Sequence, residues 1–202
     1  MIGHGAEAKV FTTTFLERDA ILKVRPEKGY RHKELDKRLR TSRTKNEARV
    51  IREARRAGVR TPIIYDIDLN ECSITMERIS GASVKTILDN SPERANEICG
   101  MIGKMVAKLH TNKISHGDLT TSNMILADNG ELCLIDLSMG SASAELEDMG
   151  VDIHLLKRAF TSAHSGIDDS FEKFTDSYEK HMKNASAVFA KVEDIKSRGR
   201  YT

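Results

Sequence analysis

The sequence predicts an α+β protein of two lobes: a small β-rich amino-terminal lobe over 1–79 and a mostly helical carboxyl-terminal lobe over 80–202. Three observations carry this. Short apolar runs broken by turn residues surround one helix-rich run in the first 80 positions. An apolar stripe at i, i+3, i+4 spacing opens the second part, and further helical patterns close it. A chain of 202 residues, 39% hydrophobic and 31% charged, is long and apolar enough to bury a core and polar enough to stay dissolved. No apolar run approaches the roughly 20 residues of a membrane span. The opening MIGHGAEAKVF has no basic stretch followed by an apolar one, so no secretory leader is expected. No repeat of 20–50 residues is visible. Cys72, Cys99 and Cys133 are widely spaced and odd in number, which points to buried free thiols in a reducing cytoplasm.

The elements follow in order. Residues 8–15 and 19–25 read as paired strands joined by a polar turn around Glu17–Asp19. Residues 27–42 are strongly basic, show no clear apolar stripe and read as partly mobile. The run 43–57 is rich in helix formers, with Gly58 as a stop and Pro62 just beyond. Ile63–Leu69 and Cys72–Glu77 read as strands, with Gly81 and Ser83 in the loop behind them. Ile98, Met101, Ile102, Met105, Val106 and Leu109 form one buried helical stripe. The polar segment SHGDLTTSN follows, then a hairpin turning at Asn129–Gly130. Helices are expected at about 146–161 and 168–196.

Charge is unevenly placed. Residues 23–60 hold fifteen Lys and Arg against five acids, ten net positive charges, which leaves the rest of the chain eight negative. Such a segment suits a polyanion or an acidic partner surface. Arg198 and Arg200 add two cations at what reads as a flexible end.

The chemistry-bearing residues begin at the polar segment. Asp118 and Asn123 lie five positions apart on one loop, and Asp136 ends the next strand. Two acids and an amide oxygen are hard ligands suited to Mg²⁺, and magnesium implies phosphates. Upstream, Gly3-His4-Gly5-Ala6-Glu7-Ala8 is a G-x-G-x-x-A run, whose glycines let backbone approach phosphate oxygens. Lys23, set among Ile21, Leu22 and Val24, can reach phosphates from a strand. Glu47 shares a helix face with Ile51 and Ala54 and is the first candidate to hold that lysine, with Glu53, which points more toward Asn46 and Val50, ranked second.

This order (Gly-rich loop, strand Lys, helix Glu, Asp-x₄-Asn, strand-end Asp) resembles that of protein kinases. The resemblance implies a minimal bilobal kinase-like fold, with Ile74–Ile79 as the hinge. Met76 and Ile125 would then line the adenine pocket, and the carbonyl of Glu77 and amide of Ile79 would meet the adenine edge. The departures matter too. His116-Gly117-Asp118 replaces His-Arg-Asp, Asp136-Leu137-Ser138 replaces Asp-Phe-Gly, and no Ala-Pro-Glu follows. Little room remains for an activation segment.

His-Gly-Asp occurs in RIO kinases, in small-molecule phosphotransferases and in the PRPK family of the KEOPS (EKC) complex. The sequence resembles the last most. The shared runs are GAEA (5–8), ILKVR (21–25), NEAR (46–49), AGVRTP (57–62), HGDLTTSNMIL (116–126), IDLSMG (135–140), EDMGVDIHLLKRAF (147–160) and the RGR tail. RIO kinases usually carry an extra winged helix, and small-molecule enzymes a larger carboxyl half. Asp152 resembles the helix acid that braces the kinase catalytic loop.

The resemblance implies binding of ATP with Mg²⁺, and ATP hydrolysis or Ser/Thr phosphorylation in support of N6-threonylcarbamoyladenosine formation at position 37 of tRNA. Asp118 would orient and deprotonate the attacking group, Asn123 and Asp136 would hold Mg²⁺, and Lys23 would meet the phosphates with Glu47 beside it. Gly3, Gly5, Ala6 and Glu7 would close over the nucleotide. Implied partners are a Kae-type threonylcarbamoyltransferase subunit, a small subunit bridging to the kinase, and tRNA, with no membrane and a cytoplasmic setting. Arg198 and Arg200 would make tail contacts. A RIO-type or small-molecule phosphotransferase, or a nucleotide-dependent switch without catalysis, are the other readings.

Overall fold

The computed structural model describes residues 3–4, 7–164 and 166–198. Strands β1 (Gly3–His4), β2 (Lys9–Phe15) and β3 (Arg18–Val24) run antiparallel. β2 and β3 turn through Leu16 and Glu17, both at positive φ (47° and 64°). This is the two-residue hairpin geometry that matches strand twist, one position earlier than the polar turn expected at Glu17–Asp19. After helix α1 (Lys33–Arg56), strands β4 (Ile64–Asp68) and β5 (Ser73–Glu77) complete a five-stranded sheet in the order β1-β2-β3-β5-β4.

Helix α1 starts ten residues before the expected position, inside the segment read as partly mobile. The reason is a buried stripe that is polar. Asp36, Arg40, Thr44, Glu47, Ile51 and Ala54 recur at helical spacing, and all are buried. Arg40 donates to Asp36 at 2.6 Å one turn back and reaches Glu27 at 3.1 Å. Ion pairs occupy the places that apolar residues fill in an ordinary amphipathic helix, so an apolar period could not reveal it.

β6 (Gly81–Ser83) pairs with β7 (Met124–Ala127), and β7 with β8 (Leu132–Leu134), in a second, three-stranded sheet. Gly81 and Ser83 are therefore strand residues rather than loop. Ser83 also caps α2 (Val84–Asn90) by accepting from the Thr86 N–H at 3.1 Å.

Four further helices follow: α3 (Ala95–Thr111), α4 (Leu146–Ala163), α5 (Phe171–His181) and α6 (Ala185–Arg198). The single helix expected at 168–196 is thus two. Phe174 and Tyr178 of α5 are buried with α3, while Val188 and Val192 of α6 are buried with α4. The break at Met182–Asn184 redirects the chain without a Gly or Pro, so no sequence punctuation marks it.

The main core joins the second half of α1 (Val50, Ile51, Ala54) to α2–α6. The amino-terminal sheet keeps only a small cluster of Ala48, Ile74 and Met76. Helix α1 therefore belongs to both parts of the molecule, and the residues of its second half are held to the carboxyl-terminal helices. Among the described residues, no helix is long and apolar enough to cross a membrane.

Candidate active site

Lys23 sits on β3 opposite Ile74 of β5, 6% exposed, on the strand face it shares with Arg25. Its Nζ lies 2.7 Å from Glu47 Oε1 and 2.6 Å from Asp136 Oδ1. The other Glu47 oxygen accepts from Arg25, which is 2% exposed and also reaches Thr44. Glu47 is thus a buried carboxylate between two cations. Asp136, at φ 58°, also accepts from the Ser138 hydroxyl at 2.7 Å. Burial pushes the Asp136 carboxyl up, but Lys23 beside it, with Ser138 and His116, holds it below the usual carboxylate range.

The loop bearing Asp118 is fixed from both sides. Asn123 Nδ2 donates at 2.9 Å to the Asp118 main-chain oxygen and to its Oδ2. His116 accepts from the Asp118 N–H at Nδ1 (3.2 Å) and donates from Nε2 to the Ile135 carbonyl (3.0 Å), so one ring ties Asp118 to the residue before Asp136. Asp152, fully buried on α4, accepts from the N–H groups of His116 (2.6 Å) and Gly117 (2.7 Å). Behind it, Tyr178 donates to His110 at 2.8 Å, and His110 donates to Asp152 at 3.3 Å. Gly117 explains the missing arginine of His-Arg-Asp. It adopts φ +80°, and a Cβ there would lie 2.2 Å from the Met139 carbonyl oxygen.

Two hollows meet at Lys23 and Asp136. One, about 250 Å³, is lined by Ile21, Met76, Glu77, Ile79, Ile125 and Asn123 among others. Its neighbour, about 330 Å³, is polar and includes Glu7, Arg43, Asp118 and Ser138. The apolar hollow suits a flat heteroaromatic ring and the polar one a charged chain extending from it. The Glu77 side chain faces out of this arrangement. Arg60 binds it at 2.8 and 2.5 Å, and the Ile63 N–H donates to it at 3.0 Å. A larger hollow of about 680 Å³ lies elsewhere, between α1 and β4, with Arg49, Arg52 and Lys45 above Ile63, Ile67 and Leu69. It holds none of the residues singled out for chemistry.

The donor set fits a hard divalent cation shared with a phosphate ligand. Asn123 uses its Nδ2 on Asp118, which leaves its carbonyl oxygen, and Asp136 uses Oδ1 on Lys23 and Ser138, which leaves Oδ2. Both remaining atoms are oxygens. The described residues contain no cluster of three or more His, Cys, Asp or Glu able to hold a metal by themselves. Phosphate oxygens would have to complete the shell, as magnesium sites in phosphoryl-transfer enzymes require.

The structure thus brings Lys23, Glu47, Asp118, Asn123, Asp136, Met76, Glu77, Ile79 and Ile125 to one cleft. Glu7 reaches its polar side and pairs with Arg43, and with Arg31 at 3.8 Å. Gly3 lies in β1, paired with Val10. Gly5, Ala6 and Arg200 lie outside the described residues. Arg198 is not on a loose end: it is the last residue of α6 and binds Glu147 of α4 at 2.7 Å. Arg25, Ser138 and Arg43 were not singled out from the sequence. Arg25 had one available signal, its i+2 position from Lys23 on the same strand face.

Comparison with known proteins gives a consistent result. The RIO domain model matches residues 8–189. A protein of Thermoplasma volcanium named "Probable bifunctional tRNA threonylcarbamoyladenosine biosynthesis protein" is 42% identical over 197 residues, 98% of this chain and 36% of that protein. KEOPS complex subunit Bud32 of Pyrococcus abyssi is 37% identical over 211 residues, 100% of this chain and 96% of that protein. EKC/KEOPS complex subunit BUD32 of Gibberella zeae is 38% identical over 222 residues, 99% of this chain and 85% of that protein. The chain therefore spans about a third of the bifunctional relatives and most of the length of the two subunit relatives.

Proposed function

The chain belongs to the RIO-domain family and is a relative of KEOPS complex subunits; on this premise we propose that it is an ATP- and Mg²⁺-dependent atypical kinase or ATPase. Its role would be to support N6-threonylcarbamoyladenosine formation at position 37 of tRNA within a KEOPS assembly. The observation that carries this reading is Lys23 held between Glu47 and Asp136, beside the Asp118–Asn123 pair.

The geometry supports the following roles. Lys23 binds the α/β-phosphates, and Glu47, itself held by Arg25, keeps Lys23 extended toward them. Asn123 and Asp136 would hold Mg²⁺, which would supply positive charge to the phosphate oxygens when bound. Asp118 orients the attacking hydroxyl or water and accepts its proton at a carboxylate oxygen. Met76, Ile79 and Ile125 enclose the adenine, with the Glu77 carbonyl and Ile79 amide at its edge. Glu7 stands at the polar side of the cleft, where a charged phosphate chain would lie. The partners are a Kae-type threonylcarbamoyltransferase subunit, a small bridging subunit and tRNA, in the cytoplasm.

One observation bears on the acceptor. Only residues 137–145 separate Asp136 from α4, too few for a peptide-docking platform. This favours water, or an acceptor presented by a partner, over a free peptide. Asp118→Ala is expected to cut turnover about 10²–10⁴-fold, the usual share of a positioned proton acceptor; full activity would remove Asp118 from the mechanism. Asp136→Ala is expected to weaken Mg-ATP binding more than magnesium-free nucleotide binding. Equal loss of both would argue against metal ligation.

A further inference from the structure

Helix α4 carries two buried polar side chains that face the catalytic loop. Asp152 takes the start of the loop through the His116 and Gly117 N–H groups. His164 lies twelve residues later, about 18 Å along a helix, at the cap of α4, and takes the other end. Its ring is buried against Phe160, with centroids 5.4 Å apart. Nδ1 lies 3.2 Å from Asp89 Oδ1 on α2, and Nε2 lies 3.1 Å from Thr121 Oγ1. A carboxylate only accepts, so Nδ1 carries a proton; burial lowers the His164 pKa and favours the neutral ring, in which Nε2 accepts from the Thr121 hydroxyl.

Thr121 is 1% exposed and opens the single 3₁₀ turn Thr121–Asn123. That turn ends at Asn123, whose Nδ2 binds Asp118. A continuous hydrogen-bonded line therefore runs from α2 through Asp89, His164 and Thr121 to the turn that aims Asn123. Neither His164 nor Thr121 lines either hollow of the cleft.

We propose that His164 and Thr121 are positioning residues for the metal-facing turn: His164, braced by Asp89, holds the Thr121 hydroxyl and so fixes the Asn123 carbonyl oxygen toward a divalent cation bound with a nucleotide. This rests on the nucleotide-site reading above. The line acts on Asn123, so its loss should be read in magnesium affinity before it is read in nucleotide affinity. A role in packing alone would lower thermal stability and leave the magnesium midpoint where it is.

The test is a Mg²⁺ titration of the full chain with a fluorescent ATP analogue, with magnesium-free binding and Tm measured alongside. Thr121→Val keeps the shape and removes the hydroxyl. It is expected to raise the half-saturating Mg²⁺ about tenfold, the low end of what outer-shell partners of a metal site contribute, with magnesium-free affinity within about twofold of wild type. Thr121→Ser keeps the hydroxyl and is expected to stay near wild type. Asp89→Ala, at a partly exposed position, threatens the fold less and is expected to move the midpoint the same way by a smaller factor. An unmoved midpoint in the Val and Ala variants, or a Ser variant as impaired as Val, would overturn the proposal while leaving the site reading intact. A wild-type chain whose nucleotide binding ignores Mg²⁺ would overturn the site reading, and this proposal with it.

Discussion

Glu47 is the residue on which the cleft depends, because it accepts from Lys23 and Arg25 at once and is almost wholly buried. Removing one partner of such a group leaves charge uncompensated, which costs about 3 kcal/mol or more. Arg25→Ala is expected to destabilise the chain by about that amount in urea unfolding, and a loss under about 1 kcal/mol would show that Lys23 alone satisfies Glu47. Asp136 gives a pH test. Its carboxyl is held low in the folded chain, so its contribution is complete above the ordinary carboxylate value of 3.8 and is lost as pH falls below it. Asp136→Asn should therefore narrow the stability gap to wild type at acid pH; parallel curves of Tm against pH would contradict this. Lys23, Glu47, Asp118, Asn123 and Asp136 were legible because their residue types and chain order carry the chemistry. Arg25 and Ser138 were not, because nothing in composition tells a surface arginine or serine from one that binds a buried acid. The thiols of Cys99 and Cys133, both pushed up to about 12 chiefly by burial, stay protonated, as free cysteines inside a core should.

Among the elements, α1 shows most clearly what sequence periodicity reads and what it misses. Its second half, with Val50, Ile51 and Ala54 buried, carries an ordinary apolar stripe and was legible. Its first half is held by Asp36, Arg40 and Thr44, and the same 3.6-residue period is written there in polar letters. Amides 37–42 are expected to exchange with solvent as slowly as those of an interior helix; exchange at unprotected rates would restore the mobile reading. The division between α5 and α6 was illegible for another reason: the two helices bury against different partners, and that is decided by tertiary packing. Close approach can be tested at Gly103 of α3, where a Cβ would lie 2.4 Å from the Phe174 carbonyl oxygen. Gly103→Ala is expected to force α3 and α5 apart at a cost of about 1–3 kcal/mol, as overpacking does elsewhere. An unchanged midpoint of denaturation would mean that the two helices adjust freely.

At the scale of the whole molecule, the net charge of residues 23–60 was read from sequence as a surface property, and the structure divides it. Arg25, Arg31, Arg40, Arg43 and Arg60 are paired with acids. Lys45 and Arg49 instead rim the hollow over α1 and β4, beside Arg52, which also pairs with Glu53 at 3.1 Å. Part of the apparent polyanion signal is therefore internal wiring of the cleft. The bilobal plan was legible because short strand-like runs dominate the first part of the chain and long helical patterns the second, although α1 and the small sheet of β6, β7 and β8 cross that division. The sharing of α1 between the two parts was not, since which core a helix joins is not written in its own period. This sharing places Glu47 on an element anchored in the main core, while Lys23 comes from the small sheet and Asp136 from beyond β8. The proposal that these elements assemble a phosphoryl-transfer centre used in tRNA modification is tested by phosphate release from Mg-ATP, measured with and without tRNA and a Kae-type partner, with Asp118→Ala as control. The expected result is release that depends on Asp118 and rises when tRNA and that partner are both present. Release that Asp118→Ala leaves unchanged, or no transfer of phosphate to water or protein in any mixture, would contradict it.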